Sequence, residues 1–413
     1  IKGPEMIRRA ANRAKWVFTL AASIRLCVAD PVGGLRADDV QDCEQLFGRG
    51  HYEECLAKST EALNAGRFGE SFPIWQCRSL LALGRYEEAR EAIEQHLTKN
   101  SSGIRLRLLA FDVLRRNGAT DRARTVLREI NSLVNRQSWR YSEPVDQVAL
   151  GRAALLLGAD PRQVLEVFYD RAKTAKPDLR DTYLAAGELA LSKHDYAIAA
   201  QSFAEGLKRN EEDADLHFGL ARAFAPSDPE QTAKSLAEAL RINPRHVSAM
   251  LFEADHLIDA EQYAAATTPL AQVLATDHWN PDAWAYHAVL AHLAGDNDAE
   301  AVFRSMALRF WKTNPEVDHL IGRKLSQKYR FAEGAACQSR ALSFDADFLP
   351  AKVQLAQDLL RLGHEDEGWR LADEVHQKDR YDVSSYNLVT LHDSMSKFRT
   401  LRDGKFVVRM DAR

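Results

Sequence analysis

The sequence predicts an all-α fold, an elongated solenoid of about ten antiparallel helix pairs. Three observations carry this. The chain has 413 residues, more than a single hydrophobic core usually organises. Gly50, Gly84 and Gly118 are spaced by 34 residues, and Glu261, Gly295, Tyr329 and Gly363 repeat the same 34-residue interval. Each of these sits at a break between two helical patterns. A period of this length is the mark of stacked helix–turn–helix units.

The remaining breaks fall at Gly158, His194 and Ser227, which completes ten units from about Arg36 to Asp382. Other positions keep the same register. Tyr52, Tyr86, Tyr196, Tyr263 and Phe331 lie two residues after the break, where an aromatic ring is expected to wedge a hairpin against its neighbour. Cys55, Ala89, Ala123, Ala199, Ala266, Gly334 and Gly368 lie five after it. Cys43, Cys77, Gly151, Gly187, Ala254, Ala288, Gly322 and Ala356 lie seven before it. Two antiparallel helices approach closely only where small residues face each other. A glycine costs a helix about 1 kcal/mol relative to alanine, so one kept there marks a need for space. Phe111 and Leu220 break the series seven before the break, and Gln163, Thr232 and Glu300 break the series five after it. Looser packing is expected in those units. The longest step, across 131–148 with Trp139 and Tyr141, predicts a lengthened helix or loop.

Leu81-Ala82-Leu83-Gly84-Arg85-Tyr86-Glu87-Glu88-Ala89, the Trp284 to Gly295 helix and Ala239-Leu240-Arg241-Ile242-Asn243-Pro244 carry a resemblance to the tetratricopeptide repeat family. It covers nearly all of the chain beyond the N-terminal segment. The resemblance implies a right-handed superhelix over 38–383. The first helix of each pair would line a concave surface that binds a protein or peptide ligand. Helical spacing places Arg78, Asp112, Glu188, His217, Asp255, Asp259, His319, Arg323 and Gln357 on that surface as groove candidates. The Lys/Asn/Arg clamp that some family members use for a C-terminal carboxylate is not found on these faces. Arg105, Arg107, Arg115 and Arg116 form a basic group that suits an acidic segment or a solvated helix face.

The chain gives little sign of chemistry of its own. HExxH, GxSxG, GxGxxG and P-loop motifs are missing. Asp255, His256 and Asp259 share one helix, but adjacent Asp255 and His256 point apart, so a metal set is not expected there. No catalytic residue, metal or cofactor is assigned. A net charge of −4 gives no reason to expect nucleic acid, and no run of apolar residues is long enough for stable membrane insertion. The sequence leaves the oligomeric state open. Cys43 and Cys55 occupy facing small positions of the first unit and are either a disulfide or two small buried residues.

The two ends follow other patterns. Residues 1–37 combine Arg8, Arg9, Arg13 and Lys15 with a short apolar run from Trp16 to Ile24 and small residues at Ala29 and Ala37. That is the order of a secretory signal, broken early by Arg25. It predicts an exported, periplasmic protein. A basic amphipathic helix, on a cytoplasmic protein, is the other reading. Cys27 follows a poor lipidation context. At the far end a capping helix is expected over 384–400. Then Phe406 to Asp411 reads as a strand after the Asp403-Gly404 turn, the possible first strand of a further domain over 401–413. This ending resembles the junction in large bacterial multi-repeat proteins that continue into a zincin-like peptidase. If so, these repeats would be the peptidase's substrate- or partner-binding arm.

Overall fold

A computed structural model describes residues 37–411, with side chains from 39 to 410. The signal-like segment and Cys27 lie outside the described residues. Within them, helices pair ten times, from Ala37–Gly48 with Tyr52–Asn64 to Leu349–Arg361 with Glu365–Lys378. Val383–Met395 follows as an unpaired helix. The fold is all-α, of the tetratricopeptide superhelix class, apart from a terminal hairpin.

The break residues explain why each pair turns where it does. Nine of the ten have positive φ: Gly50, Gly84, Gly118, Gly158, Gly295 and Gly363, together with His194, Glu261 and Tyr329. Each turn is closed by a 6→1 backbone bond of the Schellman kind, such as His51 N donating to Leu46 O at 2.9 Å and Arg330 N to Leu325 O at 3.0 Å. That bond needs the left-handed residue, which glycine adopts without steric cost. Ser227 is the exception. There Asp228 N bonds to Phe224 O at 2.8 Å, and the Asp228 carboxylate caps the next helix at Gln231 N.

The small-residue rule holds at the expected places. A Cβ on Gly151 would collide with the ring of Tyr169, and one on Gly187 with the ring of Phe203. Cys43, Cys55, Cys77, Ala89, Ala123, Ala254, Ala266, Ala288 and Ala356 are fully buried. The expected loosening resolves case by case. Gln163 is exposed because its helix starts one residue later than the others, at Pro161, so Val164 takes the buried slot. A π turn at Leu165–Tyr169 then absorbs the shifted register. Thr232 is buried and bonds back to Asp228 O at 2.8 Å, while Glu300 accepts from His292 Nδ1 at 2.8 Å. The long step is a 17-residue helix, Thr120–Arg136, then a 3₁₀ turn at Ser138–Tyr141. Tyr141 is buried and donates to Ser102 O at 2.9 Å, whereas Trp139 is exposed.

Two features depart from the sequence reading. The chain divides into two compact units, Ile1–Met250 with Ala275–His278, and Leu251–Leu274 with Trp279–Arg413. The single-solenoid expectation does not anticipate that division. The last helix ends at Met395, and Phe398–Asp403 pairs antiparallel with Phe406–Asp411, with Thr400 opposite Arg409. The segment read as the end of a capping helix is therefore the partner of the expected lone strand. The β-branched and aromatic side chains on both sides of Asp403-Gly404 favour a hairpin. Phe406, Val407, Val408 and Met410 remain exposed on it.

Candidate functional site: two sets of groove charges

One register position organises the candidate residues: the one six residues before each break. In the first five repeats it holds Glu44, Arg78, Asp112, Arg152 and Glu188, so the sign of charge alternates from repeat to repeat. Successive first helices pack side by side, which sets these side chains in a row along one face.

Among the described residues, Glu44, Asp112 and Arg152 make no ion pair or hydrogen bond, and Arg78 has no carboxylate partner. Arg78 lies instead over the rings of Phe47 and Trp75, 5.0 Å from each centroid. Glu44, Asp112 and Arg152 are exposed and Arg78 is half-buried. Desolvation raises the Asp112 carboxyl above its ordinary range despite Arg152, Arg115, Arg116 and Arg78 nearby. Desolvation, and then Asp181, raises Glu44. The Arg78 guanidinium is lowered, again chiefly by desolvation. Glu188 ends the row differently, held by Arg222 Nη1 at 2.7 and 2.9 Å.

Elsewhere in the same unit the charges are compensated. Arg180 is bound to Asp213 and Asp215. These carboxylates, with Asp181, hold its guanidinium above the usual value despite burial. His246 Nε2 lies 3.0 Å from Asp215 Oδ1. This unit also closes on itself. Tyr86 OH donates to Asp277 Oδ2 at 2.6 Å, Asn243 Nδ2 donates to Tyr52 OH at 3.1 Å, and Arg245 Nη1 donates to Glu53 Oε2 at 2.6 Å. Tyr52 and Tyr86 were expected to wedge neighbouring hairpins. Their rings are buried, but their hydroxyls bond residues 191 positions away, clasping the first two repeats to loops that follow the sixth and seventh.

In the second unit, three sequence candidates come together in one cluster. Asp255 Oδ1 accepts from Tyr286 OH at 2.6 Å, Arg323 Nη2 at 3.0 Å and Lys324 Nζ at 2.6 Å. Lys324 Nζ also reaches Asp259 Oδ1 at 2.7 Å. Burial alone would raise Asp255, but Arg323 and Lys324 outweigh it and hold the carboxyl low. The pairing links the seventh repeat to the ninth. It skips the eighth, where the same register position is the uncharged Val289. Lys324 is 0 % exposed.

The other candidates separate from both sets. His217 Nε2 turns back to Glu211 O at 3.0 Å. His319 sits inside its own helix pair, with Nδ1 2.9 Å from Gln338 Oε1 and its ring edge-on to Phe348. Each lies one helical turn before the row and is engaged by its own repeat. Gln357 keeps the row position and is half-buried. His256 turns onto Phe252, away from Asp255, and among the described residues no three His, Cys, Asp or Glu side chains form a metal set. Arg105 and Arg107 are taken by Glu70, Asp146 and Glu129, so the basic group read from sequence does not act as one patch. Cys43 and Cys55 are free thiols here, Cys55 Sγ donating to Cys43 O at 3.3 Å. Glu44, Arg152 and Lys324 were missed. The register that picked out Arg78 and Asp112 also marks Glu44 and Arg152, but nothing local marks Lys324.

A family model described as tetratricopeptide repeat matches residues 76–132 and 184–227. Among solved structures the chain is similar to the crystal structure of the APC/C hetero-tetramer Cut9–Hcn1, at 14 % identity and TM-score 0.49, over 86 % of this chain and 68 % of that one. It is also similar to pilF of Pseudomonas aeruginosa, at 13 % identity and TM-score 0.33, over 51 % of this chain and 97 % of that one. None of the curated proteins matches it. No helix among the described residues is long and apolar enough to cross a membrane.

Proposed function

We propose that this chain of tetratricopeptide repeats is a protein-binding scaffold, and that the concave face of its first unit holds an extended segment of a partner protein. The observation that carries this reading is the row Glu44, Arg78, Asp112 and Arg152. Glu44, Asp112 and Arg152 are exposed, Arg78 is half-buried, and none of the four is ion-paired, so each can meet a charge on a bound segment. Stacked first helices supply an extended surface of the kind repeat proteins use for binding. The test is capture of partner proteins from an extract of the source cells on the immobilised full chain. A variant carrying Arg78→Glu and Arg152→Glu should lose the captured proteins. A control carrying Arg124→Glu and Arg128→Glu, on the exposed side of a second helix, should keep them. Equal capture by all three proteins would remove the groove from the account.

A further inference from the structure

Taking the first-unit groove as the binding face, we propose that it selects its partner by a charge spacing: an extended segment with a basic residue facing Asp112 and an acidic residue about three positions to either side, facing Arg78 and Arg152.

The spacing follows from packing. The three groups occupy the same register on three successive first helices. Packed helices lie about 8–10 Å apart, and an extended chain advances about 3.3 Å per residue. One repeat therefore matches about three residues of ligand, so charge that alternates by repeat reads charge that alternates every third residue. A segment of the form acid–x–x–base–x–x–acid meets an opposite charge at each step. The inverse pattern meets like charge at each step, which is the stronger discriminator. Glu44 extends the ladder with a further site for a basic residue.

The surroundings favour this over general attraction for one sign of charge. Asp112 interrupts the arginines, so a uniformly acidic segment sets a like charge against its carboxylate. The carboxylates of Asp213 and Asp215 are ion-paired to Arg180. Arg78 is steadied over Phe47 and Trp75, so less freedom is lost when it takes up a carboxylate. The second unit offers no such ladder, because Asp255 and Arg323 are paired with each other.

The experiment is selection of displayed random peptides, about twelve residues long and so roughly twice the ladder's span, on the immobilised full chain. It is run in parallel on a ladder-inverted variant, Arg78→Glu with Asp112→Lys and Arg152→Glu, and on Arg152→Glu alone. The single variant changes one exposed side chain and keeps the test intact if the triple variant does not fold by circular dichroism. Peptides from the wild-type chain should carry acid–x–x–base–x–x–acid. The triple variant should select the inverse, and Arg152→Glu should lose the acidic preference at one end only. Synthesised as fluorescent peptides, the two patterns should differ in affinity for the wild-type chain by about tenfold or more. Enriched peptides with no third-residue charge pattern, or the same pattern on all three proteins, would overturn the inference and leave the groove reading standing. No enrichment on any of them would sink both.

Discussion

Both units of this chain carry charge on their first helices, at the same register, but they use it in opposite ways. In the second unit Asp255 and Arg323 are neighbours in space, because the intervening repeat contributes Val289 there. Lys324 and Tyr286 complete the set. In the first unit every repeat from the first to the fourth contributes a charged side chain, and none of the four forms an ion pair. An identical position in the repeat is therefore an internal fastening in one region and an open surface in the other. Charge type alone does not decide which. The deciding factor is whether a small uncharged neighbour lets opposite charges meet.

The largest expected effect comes from breaking the fastening. Lys324→Met leaves Asp259 without its lysine and Asp255 with one cation fewer. Breaking a buried pair costs about 3–5 kcal/mol, so amide protection across Val247–Asp259 should fall by two orders of magnitude or more in hydrogen exchange. Unchanged protection would mean that Arg323 alone is sufficient. Next comes the clasp of the first unit. Tyr86→Phe removes a hydrogen bond to a carboxylate that is 4 % exposed, a loss of about 1.5–3 kcal/mol. It should be read as faster exchange around Tyr86–Lys99 with the second unit unaffected.

Tyr329→Gly tests the turns. Tyr329 has φ 62 and a side chain that is mostly exposed. Relieving a left-handed tyrosine should raise stability by about 1 kcal/mol, seen as a higher denaturant midpoint. A drop would show that its ring contact with Phe331 outweighs the strain.

The smallest effects sharpen the comparison most, because their signs differ. Asp112→Asn should be neutral or slightly stabilising, within about 0.5 kcal/mol, since solvent screens this exposed group, and it should weaken peptide capture. Asp255→Asn should destabilise. The same contrast appears with pH. Asp255 is held low in the folded chain, so its contribution is present above the ordinary aspartate range and is lost as pH falls through its depressed value. Asp112 is raised, so the folded state gains relative to the unfolded as pH falls through the raised value towards the ordinary one. Exchange rates of the two units measured from neutral to acidic pH should therefore diverge, and parallel behaviour would erase the distinction.

Much of this was legible in the sequence because it is local. The left-handed turns at Gly50, Gly84 and Gly118 and the close approaches at Gly151 and Gly187 depend on residues within one hairpin. A 34-residue clock finds such residues without knowing where anything lies in space. The same clock puts Arg78, Asp112, Asp255 and Arg323 at one register position, because a helix face is also a local property. It does not say that His217 and His319 bond within their own repeats, because spacing along a face does not reveal what a side chain meets there. The hairpin at the end was half seen, since Phe406 to Asp411 has strand character by itself and Phe398 to Asp403 acquires it only from its partner.

By itself, then, the sequence determined the repeat, the turn geometry, the small-residue contacts and the row of charges. Tertiary structure alone decided which of those charges stay open, that Lys324 is buried between two aspartates, and that Tyr52 and Tyr86 bond residues 191 positions away. The physical reason is range. Backbone strain and side-chain volume act between neighbours along the chain. Whether a charge is paired depends on groups that only the stacking of many repeats brings within a few ångströms.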